Sequence, residues 1–396
     1  MRLTRRQLLR SGGLMAVAGT AGVAGPTTSS AAAAPPTPAG NGPAAARPLA
    51  ARGSIESSSP LLAVQHDAAT QWAGLTGLTL ADPDSQPQSL AFDSVHDVIY
   101  ALQVAQPGAL TYTRSDGERV ASRAAYARDQ HGISGDLCLT RMDLGGRITG
   151  VMYLLGFGHG VSLGVEPDPR SSTVHIWTEC QAQTDGVAGA RGNMICRFPF
   201  QDEGLVTTTD IGVTRYAPVP GATNLTPSVD VNGENRLVTV RYRVDGAFHY
   251  STWDLDLALS SGFRAAPLAT RPEPAGVAGG RFTFQGWTTY GRHLYTLDGD
   301  PHGTGPKAWS IRLTSCDLND PSPGGSVIAQ STSTVFRTAV SREPEGLAVY
   351  TGTSPARLAF MVTTSPTPPM TFDIAAMTAP DPSSGDGVPR ATRPPA

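Results

Sequence analysis

The chain has 396 residues, 40% of them hydrophobic and 16% charged, with a formal net charge of −3. That length supplies one large domain or two ordinary ones. The near-neutral balance gives no electrostatic case for nucleic-acid binding, which needs a clustered basic face.

The first residues read as an address. Thr4-Arg5-Arg6-Gln7-Leu8-Leu9-Arg10 is a twin-arginine pattern, an apolar run from Gly12 to Gly25 follows, and Ala31 to Ala34 offers small residues for cleavage. Residues 1–34 are therefore expected to be a Tat export signal. Its apolar run is too short and too rich in Gly and Ala for a bilayer span, and no later segment is long and apolar enough to span one. The expected location is secreted or cell-wall associated. Residues 35–59 are Pro/Ala-rich and 378–396 have a similar composition, so both are expected to be disordered: they hold too few large apolar groups to offset ordering entropy. The folded part is expected at 60–377.

Within it, a short pattern recurs: QSLAFD (88–93), VSLGVE (161–166), PSVDVN (227–232), QGWTTY (285–290) and EGLAVY (345–350). A recurrence at such spacing signals a repeat architecture. Each copy is followed by a turn-like stretch and an alternating or β-branched run: VIYALQV (98–104), VHIWTEC (174–180), RLVTVRYRV (236–244), HLYTLDG (293–299) and RLAFMVTT (357–364). Apolar residues do not recur at helical spacing over any long window. Further strands fit each repeat, such as GDLCLTRMD with GRITGVMYLLG, and FHYSTWDLD. Five repeats of four antiparallel strands predict an all-β fold, a five-bladed β-propeller, with the recurring stretch innermost. Alternation separates a small set (Ser89, Ser162, Ser228, Gly286, Gly346) from a large set (Leu90, Leu163, Val229, Trp287, Leu347), as crowding of blades at an axis requires. Closure is expected from a terminal strand, near 60–66 or near 371–377.

The wording of the repeats is more specific still. QSLAFD…VIYALQV, GDLCLTRMDLGG, MYLLGFGHGVSLGVEP, IWTE and REPEGLAVY resemble a bacterial and phage family. It groups teichoic-acid biosynthesis protein C, helveticin J-like bacteriocins and receptor-binding proteins of phage tails. The resemblance runs over roughly residues 60–375 and is weakest in the third repeat, where Asp230 stands in place of Ala or Gly. It implies a five-bladed propeller and contact with cell-wall glycopolymers, teichoic acid above all. It supplies no catalytic residues.

Several residues invite a chemical reading. Gly160-Val161-Ser162-Leu163-Gly164 fits a nucleophile elbow, but no helix pattern follows, and the repeat already assigns Ser162 to the small slot. His159 lies between glycines, which leaves room for a ligand or for a bond to a neighbouring turn. Gln88 and Gln285 share the slot of Glu345, and Arg342 and Glu343 lie just upstream. These residues are expected at one mouth of the central channel, bonded to one another or to a ligand. Asp298-Gly299-Asp300 offers oxygens for Ca²⁺, or an ordinary turn. Arg215, Arg241, Arg243 and Arg281 are candidates for holding phosphate, with Arg241 and Arg243 on one face of a strand. Lys307 is the single Lys, which suits phosphate binding or simply a GC-rich genome. Cys180 and Cys196 end and begin two strand-like runs, so a bridge across a hairpin is open to them, whereas no CxxC pair suggests zinc. No Walker, dinucleotide, HExxH or kinase motif is present, and no cofactor is expected.

The leading expectation is an exported, non-enzymatic propeller that binds a teichoic-acid-like glycopolymer, with no nucleic-acid partner. One alternative is an extracellular hydrolase or transferase acting on wall polymer or sugar, with Asp93, Glu166, Glu343 and Glu345 as candidate carboxylates. The other is a bacteriocin-like or signalling factor.

Overall fold

A computed structural model describes residues 55, 61, 70–72, 74–105, 112–113, 119–120, 134–168, 170–184, 189–231, 236–274, 277, 282–300, 310–320, 326–330, 343–353 and 356–378, all within the compact unit Ser54–Ala396. After a short β1 (Thr70–Gln71), the first blade is formed by β2 (Pro87–Asp93), β3 (Val98–Val104), β6 (Leu137–Asp143) and β7 (Ile148–Leu155), with a small hairpin, β4 (Tyr112–Thr113) and β5 (Arg119–Val120), between β3 and β6. The second blade has β8 (Gly164–Pro167), β9 (Val174–Thr184) and β10 (Ala190–Pro199), then, after β11 (Gly204–Thr207), β12 (Thr214–Tyr216). The third has β13 (Thr223–Asp230), β14 (Leu237–Val244), β15 (Ala247–Asp254) and β16 (Ala269–Pro272), with helix α1 (Leu255–Ser261) before its last strand. The fourth has β17 (Phe284–Tyr290), β18 (His293–Asp298), β19 (Ser310–Asp317) and β20 (Ser326–Gln330). The fifth has β21 (Glu343–Tyr350), β22 (Arg357–Ser365) and β23 (Thr371–Thr378), completed by β1.

The fold is a five-bladed β-propeller. The first strands of the blades pack against one another in a ring, so all five recurring stretches begin their blades at the axis. Side-chain alternation builds one apolar core per seam. Leu90 and Phe92 face the fifth blade, with Ala348, Met361 and Ile374, while Ala91 faces the second, with Leu163 and Ile176. Leu358, Phe360 and Val362 of β22 pack on Tyr295, Leu297 and Ile311 of the fourth blade, and the intervening Ala359 and Met361 point the other way. The large set keeps one sense throughout: Leu90, Leu163, Val229, Trp287 and Leu347 each sit in the seam with the preceding blade.

The small set meets the next blade. The Ser162 hydroxyl donates to the Pro227 carbonyl, and the Thr289 N–H donates to Ser228 Oγ at 3.1 Å. A Cβ on Gly286 would lie 2.9 Å from Gly346 Cα. A Cβ on Gly346, itself at φ +63°, would lie 2.7 Å from Ser89 Cα. Asp230, the departure in the third repeat, accepts from the Gly291 N–H at 2.6 Å and so ties its blade to the fourth.

Three features depart from the sequence reading. The first blade carries a fifth strand: β11 runs parallel to β7, with Gly204 beside Met152, because the chain leaving β10 crosses to that open edge. There it is held by Glu203 N–H to Val151 O at 2.7 Å and Val151 N–H to Asp202 Oδ1 at 2.8 Å. Covering an edge removes a row of unpaired backbone groups. Second, 371–377 is the third strand of the last blade rather than its closing one. The outermost strand is β1, with Thr70 opposite Ala376 and Gln71 opposite Ala375; of 60–66, only Leu61 is among the described residues. Third, the short helix α1 is capped by Asp254, whose carboxylate accepts from Leu257 N–H at 2.8 Å, and ended by Gly262 at φ +62°. Seven residues are too few for a helical period to show in sequence.

The N-terminal approach is docked. Ile55 is buried in the seam of the third and fourth blades, its carbonyl accepting from Asn319 Nδ2 at 3.1 Å. The Leu61 N–H donates to the Tyr295 hydroxyl at 2.9 Å. Trp72 stacks on Phe92 at 5.6 Å and meets Tyr350 edge-on at 5.2 Å. All three anchors lie at the end of the propeller where the inner strands finish. Among the described residues no helix is long and apolar enough to cross a membrane.

Candidate functional site

The opposite end, where the inner strands begin, carries the predicted mouth. Four inner strands break register there: between Pro87 and Ser89, between Thr223 and Thr226, between Phe284 and Gly286, and between Glu345 and Ala348. Gln88 and Gln285 are thus the extra, unpaired residues of two bulges, a device that re-aims a side chain out of the pleat. Gln285 Nε2 donates to Gly299 O at 3.0 Å and to Glu343 Oε1 at 3.2 Å, joining the fourth and fifth blades. Gln285, Glu343 and Glu345 are all buried. Gln88 is also buried; its Nε2 donates to Pro87 O at 3.0 Å, while its Oε1 has no hydrogen-bond partner among the described residues. Arg342 lies outside the described residues.

Blade one is fixed beside Gln88 by a residue absent from the sequence reading. Gln103, opposite Pro87, donates to Asp82 O at 2.7 Å and Ser85 O at 2.8 Å and accepts from Asp82 N–H at 3.2 Å, which holds the loop that enters β2.

His159 belongs to a loop that bridges the first and second blades. Phe157 and Gly158 donate to Gly135 O at 2.8 and 3.0 Å. The next three N–H groups, of His159, Gly160 and Val161, converge on Glu179 Oε1 at 3.0, 2.8 and 3.4 Å, and Gly192 N–H donates to Oε2 at 2.6 Å. A Cβ at Gly158 would lie 2.3 Å from the Glu179 carboxyl carbon, so only glycine admits this carboxylate. Burial pushes the Glu179 carboxyl above its usual range, against the pull of Arg191 and the surrounding N–H groups. The His159 side chain stays half-buried, near Gly189. Glu179 was visible in the sequence as the last residue of IWTE, without a role.

The remaining candidates are committed elsewhere. Ser162 bonds a carbonyl of the next blade, which satisfies its hydroxyl. Asp93 caps the turn after β2, accepting from Val95 N–H at 3.0 Å and pairing with His96 Nδ1 at 2.7 Å. Glu166 accepts from Trp177 Nε1 at 2.9 Å, Arg197 Nε at 2.8 Å and Arg236 at 3.2 Å. These partners hold its pKa below the usual carboxylate value, although burial, the largest single influence, acts upward. Asp93 and Glu166 end their strands, whereas Glu343 and Glu345 begin theirs. At about 3.3 Å per residue the two groups sit at ends about 16 Å apart. Asp298 pairs with Arg312 at 3.1 Å, Asp300 accepts from Thr283 N–H at 3.2 Å, and a Cβ on Gly299 would strike Pro344 at 2.4 Å. That segment reads as a packed turn against the fifth blade. The Cys pair is offset: Cys180 lies opposite Met194 and Cys196 opposite Thr178, and all four cysteines are buried free thiols.

No protein-family model matches the sequence, and no curated protein matches it. Solved structures do resemble the fold. The tail fiber of Staphylococcus aureus phage P68 superposes with a TM-score of 0.50 and 14% identity, over 77% of this chain and 52% of the fiber chain. The chain thus spans about half of that relative. A protein of unknown function from Dyadobacter fermentans gives 0.38 and 10%, over 74% of this chain and 76% of that one. A family 43 arabinoxylan arabinofuranohydrolase from Bacillus subtilis gives 0.33 and 10%, over 76% and 66%. At these identities the likeness concerns the fold.

Proposed function

We propose that this protein is an exported, non-enzymatic propeller that binds a cell-wall glycopolymer of the teichoic-acid class at the channel mouth. The observation that carries the reading is Gln88: a buried amide in a bulge at the mouth, with an acceptor oxygen that meets no hydrogen-bond donor among the described residues. Buried polar atoms are almost always paired, so an orphaned one at an opening points to a ligand or water. Gln285, Glu343 and Glu345 are buried polar residues at the same ends of the neighbouring inner strands, and His159 and Arg342 are further candidates on sequence grounds. Binding is favoured over cleavage because Asp93 and Glu166 are spent on turns and blade contacts and lie at the other end, away from Glu343 and Glu345. The twin-arginine leader supplies the reason to place it outside the cell.

The test is retention on purified Gram-positive walls, with and without extraction of teichoic acid. Retention that extraction abolishes, and that Gln88→Ala weakens, is the expected result. Equal retention on extracted walls would overturn the ligand class. Release of sugar or phosphate by the pure protein, lost in Glu345→Gln, would overturn the non-enzymatic reading.

A further inference from the structure

Beside the mouth, the seam between the third and fourth blades carries an alternating row of guanidinium groups and phenyl rings. Arg241 is sandwiched, its Cζ 3.6 Å from the centre of the Phe248 ring and 4.1 Å from that of Phe284. Arg243 extends the row on one side, 5.9 Å from the Phe248 centre. On the other, Phe284 lies opposite Asp298 in the sheet, Asp298 holds Arg312, and Arg312 sits 5.9 Å from the centre of Phe282. Phe284 immediately precedes Gln285, so the row runs outward from the mouth.

The charges along it are unequal. Glu273 pairs with Arg241 through two bonds at 2.8 and 2.9 Å, and Asp298 bonds Arg312. Arg243 is exposed; its Nε donates to Gly246 O at 3.2 Å, and no carboxylate pairs with it among the described residues. All three rings are half-buried, leaving apolar surface open between the cations. Two buried polar atoms of the seam lack hydrogen-bond partners among the described residues: Arg241 Nε and Asp298 Oδ1. One is a donor and the other an acceptor, and bridging water satisfies such atoms.

We infer that this row is a lateral subsite for an anionic saccharide or polyol-phosphate unit. The exposed parts of the phenyl rings meet the carbon skeleton, Arg243 holds the anionic group, and the two buried unpaired atoms are served by bridging water. Arg241 is a positioning residue that holds Phe248 and Phe284 against its guanidinium across the seam. This deepens the glycopolymer reading above and rests on it: a polymer held at the mouth passes over the row.

The experiment measures binding of purified poly(glycerol phosphate) and of uncharged polyglycerol by calorimetry, at low and moderate salt. It uses the full chain and the variants Arg243→Gln, Phe282→Ala and Gln88→Ala, each first checked for an unchanged melting temperature. Arg243 is exposed, so its variant keeps the fold. The expected result is preference for the charged polymer, a loss of about tenfold in Arg243→Gln, the size of one charge-assisted contact, with a shallower salt dependence, and a weaker loss in Phe282→Ala. Wild-type affinity and salt dependence in both variants, with binding lost in Gln88→Ala, would overturn the subsite and leave the mouth intact. Absence of binding by the wild-type chain would overturn both.

Discussion

Gly286 and Gly346 meet backbone to backbone across the seam of the fourth and fifth blades, where a Cβ on the first would come within 2.9 Å of the second's Cα. Both stand in the small slot of the repeat, and Gly346 in turn presses on Ser89 of the first blade. The ring is therefore closed by close backbone approach as much as by its closing strand.

Gly346→Ala should be the more damaging of the two substitutions, since it meets backbone atoms at 2.7 Å and forces an L-residue to φ +63°. A loss of about 2–4 kcal/mol is expected, with a smaller one for Gly286→Ala. Urea unfolding followed by tryptophan fluorescence measures both, and an unchanged midpoint for Gly346→Ala would refute the close approach.

Glu179 answers four backbone N–H groups around His159. Glu179→Gln replaces one acceptor oxygen by a donor, and leaving a buried donor unmet costs about 1–3 kcal/mol. Hydrogen exchange should quicken at residues 159–161 and 192, ahead of any change in the far blades. Uniform exchange across the protein would instead mean a general loss of stability.

Asp298 sits in the seam with Arg312, and burial pushes its pKa up from 3.8 to about 7 despite that partner. The folded chain holds the proton more tightly than the unfolded one. The stabilisation is therefore complete below pH 3.8 and lost as pH rises to about 7. Its size is on the order of 2–4 kcal/mol. Asp298→Asn, which does not titrate, should flatten that part of the stability–pH curve. Parallel curves for the two proteins would contradict the assignment.

The four thiols are buried, and burial raises the pKa of Cys138 and Cys196 well above the ordinary thiol range. Such thiols are protonated and shielded. A thiol reagent should find none in the native protein and four after denaturation. Two after denaturation would reveal a Cys180–Cys196 bridge that the present register does not contain.

Much of this molecule can be read in one dimension. The five inner stretches, the second strands that follow them, and the division into small and large slots come from the sequence, because a strand's period of two and a blade's recurrence are local properties. The common position of Gln88, Gln285 and Glu345 at the starts of their inner strands followed from slot equivalence for the same reason. How these side chains are hydrogen-bonded was decided by tertiary structure. Glu179 and His159 are distant in sequence and joined only by the turn between blades, Gln103 acts through a loop it meets in space, and Arg241 lost its freedom to Glu273, the residue after β16. The added strand β11 and the closing strand β1 were equally hidden, since an edge is open or covered only once the sheets exist. Local pattern fixes which face a side chain takes; only packing of blade on blade decides which partner waits there.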